Sequence, residues 1–266
     1  MRKIRVALLV ALIFGVCAGL AQAQTSPAVA RPTSSSDRLF LGFAEDATVV
    51  DGQWWEGQVG AADSDAVDAQ VLRAVIAFQP WMDIEIGGRV GFGNTDMPAG
   101  VDGSGATDLD VWGKYHLGGN DETEFSVGGM VTVPTGDETA GLGQDAFGGS
   151  AFGSLRHRLQ RFILTGQAGL RFNGDGRVAG DTVDRDGETS PMAGVGLLFP
   201  FSDNVTAVAE ARWEDARLDG LENDSRILGG INWRPAGRGT LRGAVAFGLS
   251  DGAPDTELMF GYATIF

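Results

Sequence analysis

The stretch "RFILTGQAGLRF", residues 161–172, alternates apolar or small side chains with polar ones over most of its length. One parity carries Phe162, Leu164, Gly166, Ala168, Leu170 and Phe172, and the other carries Thr165, Gln167 and Arg171. A period of two puts alternate side chains on opposite faces of a strand, whereas a helix repeats near 3.6 residues. The stretch therefore predicts a β-strand with one apolar and one polar face.

The same period covers most of the chain. It predicts twelve strands, at roughly 52–60, 66–79, 81–93, 105–118, 122–134, 145–157, 161–173, 190–201, 203–214, 224–234, 239–249 and 255–266. Short turns such as "QPW" and "SDN" alternate with longer loops rich in Gly and Asp. This layout is typical of an all-β, transmembrane antiparallel up-and-down β-barrel of about twelve strands, with short periplasmic turns and longer extracellular loops.

A soluble β-sandwich is the competing architecture, because its strands also have one buried face. Two features favour the barrel. The apolar parity is rich in Gly and Ala rather than in the large side chains of a sandwich core, and the polar parity carries charges in mid-strand. Aromatic residues also gather near strand ends, where an interfacial girdle would lie. They are Trp54, Trp55, Phe78, Trp81, Phe92, Phe162, Phe172, Phe199, Trp213, Trp233 and Phe266.

The N-terminal residues 1–23 have the layout of a secretory signal peptide. A basic start precedes an apolar stretch, which ends on Ala21-Gln22-Ala23. A retained membrane anchor and a lipoprotein signal at Cys17 are the alternatives. Cleavage after Ala23 would remove the only cysteine and change the formal charge from −15 to −18. Such an acidic chain is a poor candidate for nucleic-acid binding. We expect residues 24–44 to form a flexible periplasmic leader and 45–266 the outer-membrane barrel.

The last stretch, "ELMFGYATIF" (residues 257–266), is expected to be the closing strand. Phe260, Tyr262 and Phe266 would face lipid, and Glu257 the lumen. The terminal aromatic residues resemble the signal that the barrel-assembly machinery of Gram-negative bacteria reads. The expected partners are therefore this machinery, outer-membrane lipid and lipopolysaccharide, around a monomeric barrel in the bacterial outer membrane.

The polar parity identifies the candidate lumen residues. They are Arg73, Asp83, Glu85, Arg89, Asp110, Lys114, His116, Arg171, Glu210, Arg212, Arg242 and Glu257. Because their signs are mixed, we expect ion pairs across neighbouring strands rather than one strong field. A twelve-stranded barrel is wider than the eight-stranded kind that side chains fill, so long inward side chains could leave a narrow channel or close it.

The stretch "FSVGGMVTVPTGDETAGLGQD", residues 125–145, resembles the outer-membrane barrels named for the meta-pathway of phenol degradation. The stretches "EDATVVDGQWWEGQVG" and "VLRAVIAFQPWMDIEIG" resemble the first strand and second hairpin of that family. The resemblance implies an outer-membrane barrel of about twelve strands that moves small, often hydrophobic or aromatic, compounds. It brings no catalytic or substrate-binding residues.

The chain offers little for catalysis or metal binding. His116 and His157 lie on different predicted strands, and Ser126 and Ser154 are not on obviously matching levels, so we expect no catalytic residue. Two histidines without cysteine do not form the usual zinc site. The acidic loop from Asp175 to Glu188 could bind calcium but is more typical of a solvated loop. We expect no cofactor. The candidate functions are a passive channel for small solutes, a non-conducting structural or binding barrel with a plugged lumen, and a barrel-embedded hydrolase.

Overall fold

The computed structural model describes residues 38–42, 45–64, 68–96, 103–120, 122–177, 184–235 and 239–265. Its strands are β1 (Gln53–Asp63), β2 (Asp68–Trp81), β3 (Ile84–Asp96), β4 (Gly103–Ala106), β5 (Leu109–Gly119), β6 (Thr123–Val133), β7 (Gly148–Arg158), β8 (Ile163–Asn173), β9 (Thr189–Pro200), β10 (Val205–Glu214), β11 (Asp224–Trp233), β12 (Thr240–Gly248) and β13 (Thr256–Ile265). No helix in these ranges is long and apolar enough to cross a membrane.

The sheet closes on itself. Consecutive strands pair antiparallel, except that β4 and β5 both pair with β3 and not with each other, and β1 pairs with β13, with Trp54 opposite Ile265 and Asp63 opposite Thr256. Closure leaves no strand edge exposed, which is the condition for a sheet to span lipid. The predicted all-β antiparallel barrel is confirmed.

The barrel has twelve strands because β4 and β5 together occupy one position, both pairing with β3. The sequence predicted one uninterrupted strand there, over 105–118, and this was wrong in detail. Between the pairs Arg89–Asp110 and Phe92–Ala106, β5 and β4 contain one residue more than β3. The extra residue makes a bulge at Thr107 and Asp108.

The start of β7 also differs from the prediction, which placed it at residue 145. Asp145 has a φ of 52°, a left-handed conformation that is incompatible with a strand. The strand therefore begins at Gly148, after the loop of residues 134–147.

The outer face of the barrel carries large apolar side chains. Phe260 on β13 is 63% exposed, and Leu72, Phe92, Leu117, Val131 and Ile231 are exposed on other strands. Exposed apolar side chains around a closed sheet form a surface suited to the hydrocarbon core of a bilayer.

Trp54 is an exception to the predicted aromatic girdle. It is fully buried inside the barrel, where it packs with Val50, Val75 and Trp112, while its neighbour Trp55 is exposed on the outer face. Consecutive residues of a strand point to opposite faces, so only one of the doubled tryptophans can face lipid.

Candidate functional site

The candidate site is the interior of the barrel, which a chain segment partly fills. Residues 38–42 and 45–52, here called the lumen segment, precede β1, and all but the last two of them lie inside the closed sheet. Arg38, Leu39, Asp46 and Val50 are buried. The expected leader, 24–44, therefore overlaps the lumen segment at residues 38–42, and its remaining residues lie outside the described ranges.

Glu85 on β3 is the first attachment point of the lumen segment. Its Oε2 is 2.7 Å from Nη2 of Arg38 and accepts a 2.8 Å hydrogen bond from the backbone N–H of Val50. Its Oε1 accepts a hydrogen bond from Trp112 and lies 3.3 Å from Nζ of Lys114. The side chains of Arg38, Glu85 and Lys114 are fully buried, so their charges depend on one another for stabilisation.

Glu210 on β10 is the second attachment point. Its two carboxylate oxygens accept hydrogen bonds from the consecutive backbone N–H groups of Phe40, at 2.5 Å, and Leu41, at 2.8 Å. Arg212, two residues along the same strand, donates a 2.7 Å hydrogen bond to the carbonyl of Leu41. One strand therefore satisfies donors and an acceptor of the same short piece of backbone.

Arg242 on β12 holds the segment from the other side. Its Nη2 donates to the carbonyls of Arg38 and Leu39, at 2.7 and 3.1 Å, and its guanidinium lies 4.3 Å from the ring centre of Phe40. Its Nη1 is 2.6 Å from the carboxylate of Glu56 on β1. This buried ion pair fixes the guanidinium against the segment.

The part of the lumen segment nearer to β1 is fixed by β5 and β7. Arg156 Nη1 lies 3.1 Å from the Asp46 carboxylate, and Lys114 donates to the Asp46 carbonyl at 2.8 Å. The hydroxyl of Ser154 donates to the carbonyl of Glu45. Arg156 is not among the candidate lumen residues from the sequence, although it shares the inward parity of Ser154 on β7.

Small inward residues make room for the segment. A Cβ atom added at Gly196 would lie 2.6 Å from a methyl group of Leu39, and one added at Gly230 would lie 3.0 Å from the ring of Phe40. Leu39 in turn packs with Ile163, Leu198 and Val208 of the wall. These glycines allow the segment to approach the wall closely.

A cavity of about 500 Å³, here called the upper cavity, lies on the long-loop side of the lumen segment. Phe40 and Leu41 form its floor, and the loop of residues 134–147 contributes to its wall. Seven arginines line it: Arg73, Arg89, Arg171, Arg212, Arg217, Arg226 and Arg242.

Each of these seven arginines has an acidic partner. Arg89 Nε is 2.7 Å from Asp110 on the adjacent strand. Glu257 lies 3.7 Å from Arg73 and 3.0 Å from Arg226, and Arg226 also pairs with Asp224 at 2.5 Å. Three further arginines share one carboxylate: Glu214 lies 2.7 Å from Arg171, 2.9 Å from Arg212 and 2.7 Å from Arg217.

The loop of residues 134–147, which contains "PTGDETAGLGQD", folds inward and is tied to the bulge in the wall. The carboxylate oxygens of Asp108 accept hydrogen bonds from the backbone N–H groups of Gly136, at 2.9 Å, and Gln144, at 3.1 Å. Leu142 of this loop packs on Val71 of β2. Within the loop, hydrogen bonds from the Thr139 hydroxyl and the Ala140 N–H lower the pKa of Asp137.

Eleven of the twelve candidate lumen residues lie on the inward parity of their strands. Of these, Glu85, Lys114, Arg171, Glu210, Arg242 and Glu257 are buried, and Arg73, Arg89, Asp110, His116 and Arg212 are partly buried. Asp83 lies instead in the exposed tight turn between β2 and β3. Sequence reasoning missed Arg38, Asp46 and Glu56, the first two because they precede the strands. It placed Glu214 on the polar parity of its strand but did not include it among the candidate lumen residues.

The histidines do not form a catalytic arrangement among the described residues. Contrary to the sequence reading, His116 and Ser126 are directly opposite each other on β5 and β6. No hydrogen bond joins them, and the Ser126 hydroxyl and His116 Nε2 have no partner in the described ranges. His116 Nδ1 is 3.8 Å from Asp83, and His157 Nδ1 is 2.8 Å from the Thr123 hydroxyl.

The described residues contain no cluster of three or more His, Cys, Asp or Glu side chains suited to a metal ion. In the loop considered for calcium, residues 178–183 lie outside the described part. Asp175 there accepts a hydrogen bond from the N–H of Gly187, and Asp184 pairs with Arg177.

Phe260 and Tyr262, proposed as part of an assembly signal, are exposed on the outer face of β13. Phe266 lies outside the described residues.

No family model and no curated protein matches the chain. Among solved structures, it is similar to the COG4313 outer membrane channel from Pseudomonas putida F1, with a TM-score of 0.68 and 14% identity over 86% of this chain and 100% of that one. It is also similar to the KdgM porin, with a TM-score of 0.57 and 9% identity over 80% and 99% of the two chains. The Pseudomonas putida toluene transporter TodX gives a TM-score of 0.51 and 12% identity over 88% and 96%. The chain thus has the fold of outer-membrane channels, and this fold and its apolar outer surface place it in the bacterial outer membrane.

Proposed function

We propose that this protein is a passive outer-membrane channel for a small solute, and that its lumen segment closes the channel at the end with the tight turns. The observation that carries the proposal is the division of the interior into two parts. The half near the tight turns is filled by the lumen segment and its ion pairs, and the other half keeps a cavity of about 500 Å³. Small-molecule sites commonly have volumes of about 300–1,000 Å³.

In this proposal the tight turns face the periplasm and the long loops face outside, as in outer-membrane barrels of known orientation. The solute enters the upper cavity from outside and passes when the lumen segment is displaced. The resemblance to the meta-pathway barrels supports a small solute with hydrophobic or aromatic character. The apolar side chains of Phe40, Val71, Leu142 and Met259 in the cavity agree with such a solute.

The proposal assigns no catalysis to the protein. A serine hydrolase needs its nucleophile within hydrogen-bond reach of its base, and Ser126 and His116 make no such contact. The lumen segment also occupies the space beside these two residues. Its residues Glu45 and Asp46 contact the neighbouring strand β7, where a substrate would otherwise lie.

Single-channel recording in planar bilayers tests the proposal with two deletions of the mature protein. Deletion of residues 24–52 removes the lumen segment but keeps every strand, and it should produce discrete conductance steps. Deletion of residues 24–37 is the matched control, because it keeps the lumen segment, and it should remain as closed as the full mature chain. Folding of each variant is checked by the electrophoretic mobility shift between unheated and heated samples.

The second candidate is a non-conducting structural barrel, favoured by the number of buried contacts that hold the lumen segment. If the folded 24–52 deletion variant is electrically silent and impermeable to solutes, the channel proposal is wrong and this candidate replaces it. If the full mature chain conducts as well as this variant, the lumen segment does not close the pore.

A further inference from the structure

We propose that the upper cavity binds a small monocarboxylate with an apolar body. Its carboxylate would lie on the group formed by Arg171, Arg212 and Arg217, and its apolar body on Val71 and Leu142. The role of this molecule as the transported solute rests on the proposed channel function, but its binding does not.

The three arginines carry a surplus of positive charge. The carboxylates within 4 Å of them among the described residues are Glu214, which all three share, and Glu45, which is 3.9 Å from Arg212. Three guanidinium groups thus face two carboxylates. The surplus of one positive charge matches one anionic group on a ligand.

Glu214 is positioned to orient these arginines rather than to compete for the ligand. Its side chain is only 2% exposed and does not line the upper cavity, whereas Arg171, Arg212 and Arg217 do. Each guanidinium has five N–H donors, and one carboxylate accepts about four hydrogen bonds. N–H donors of the three arginines that face the cavity therefore remain available to a bound carboxylate. The planar guanidinium is well suited to bind a carboxylate.

The other arginines of the cavity are balanced by acids. Arg89 pairs with Asp110 and Arg242 with Glu56. Arg73 and Arg226 together face two carboxylates, those of Glu257 and Asp224. Among the described residues the surplus therefore lies on one side of the cavity, which favours a single anionic group over a polyanion.

The apolar patch lies across the barrel from the arginine group. Val71 is on β2 and Arg171 is on β8, and around the twelve-stranded sheet these strands lie five positions apart in one direction and seven in the other. Val71 packs with Leu142 and Ala140 of the inward loop. A ligand that spans the cavity would thus have its charge at one wall and its apolar body at the other.

Isothermal titration calorimetry on the mature protein in a non-ionic detergent tests this site, with empty micelles as the blank. Three probes separate the contributions: benzoate has the charge and an apolar ring, benzamide lacks the charge, and acetate lacks the ring. We expect benzoate to bind at least about tenfold more tightly than either of the others, since a charge-assisted contact and a buried ring each contribute about 1.4 kcal/mol or more. Equal binding of benzoate and benzamide, or no binding of benzoate at millimolar concentration, would overturn the proposal.

Arg217→Gln is the decisive variant, because Arg217 lies in the loop after β10 and its side chain is 38% exposed. It should weaken benzoate binding about tenfold, with partial recovery in Arg217→Lys. Leu142→Ala should weaken benzoate but leave acetate unchanged. Arg161→Gln, an exposed position at a tight turn, is the control and should bind benzoate like the parent protein.

Unchanged benzoate binding by folded Arg217→Gln would overturn the assignment. The outcome is separable from the channel proposal. Benzoate binding together with an electrically silent 24–52 deletion variant would refute only the channel, and conductance without benzoate binding would refute only this site.

Discussion

Glu210 shows how one wall residue can hold a piece of backbone that belongs to no sheet. The N–H groups of Phe40 and Leu41 point the same way and would be unsatisfied inside the barrel without an acceptor. A carboxylate has two oxygens at a spacing that accepts both, which a hydroxyl or a backbone carbonyl of the wall does not provide. Glu210 therefore holds the lumen segment in place.

Glu210→Ala should loosen the lumen segment. Two partly buried N–H groups lose their acceptor, at a cost of up to about 1–3 kcal/mol each. The mature chain lacks cysteine if the signal peptide is cleaved, so a Leu41→Cys probe can report the opening by its rate of maleimide labelling. We expect labelling to be at least about tenfold faster in Glu210→Ala. The matched control is Glu188→Ala, an exposed loop position, and equal rates in both variants would contradict the role of Glu210.

Removal of the Glu85 side chain takes the shared acidic partner from two buried cations, whereas removal of the Arg38 side chain takes only one of the two cationic partners of Glu85. Glu85→Ala leaves both Arg38 and Lys114 without their shared carboxylate, whereas Arg38→Ala leaves Glu85 paired with Lys114. Removing one partner of a buried pair costs about 3–5 kcal/mol. Glu85→Ala should therefore lower the thermal unfolding temperature more than Arg38→Ala does, as measured by circular dichroism. The reverse order would show that Lys114 does not depend on Glu85.

At the scale of elements, the bulge between β4 and β5 connects the wall to the inward loop. The extra residue breaks the strand at Thr107 and Asp108, and the Asp108 carboxylate then reaches two backbone N–H groups of the loop of residues 134–147. The irregularity in the strand and the inward position of the loop are thus one feature. The loop stands over the apolar side of the upper cavity because of it.

Asp108→Ala should release this loop. Gly136 and Gln144 lose the acceptor that holds their N–H groups, and the loop becomes more exposed to solvent. Limited proteolysis of the detergent-solubilised protein should cut within residues 134–147 faster in Asp108→Ala than in the parent. Asp215→Ala, an exposed acid in another long loop, serves as the control. Equal cleavage rates in the two variants would show that Asp108 does not hold the loop.

The sequence predicted the strands well because each barrel strand must alternate, and alternation is local. Arg171 on β8 and Phe260 on β13 could be given their faces from the residues on either side of them. The lumen segment could not be found in this way. Its sequence "RLFLG" does not alternate as a strand does, and its hydrogen-bond partners are far away in the chain. The carbonyl of Arg38, for example, accepts a hydrogen bond from Arg242, 204 positions along the chain. The pairing of side chains inside the barrel depends on closure, which no local pattern encodes.

At the scale of the whole molecule, the pairing of β1 with β13 closes the barrel. β13 pairs with β1 along its length, and Tyr262 and Phe260 lie on its outer face. Deletion of Phe266 should reduce the amount of folded barrel in the outer membrane, since we propose that the terminal aromatic residues are read by the assembly machinery. Heat-modifiable protein in isolated outer membranes measures this. Phe266→Tyr is the control and should assemble normally, and full assembly of the deletion variant would exclude the role.

The lumen segment is joined directly to β1, one of the two strands that meet when the barrel closes. We infer from this connection an order of events during biogenesis. If the seam between β1 and β13 formed first, Arg38 and Asp46 would have to enter the closed barrel through one of its ends and lose their hydration there. If the segment docks first on β3, β7 and β10, its charged groups form their ion pairs while the sheet is still open and hydrated. We therefore expect the segment to act as an internal template, around which the remaining strands wrap before the seam is sealed.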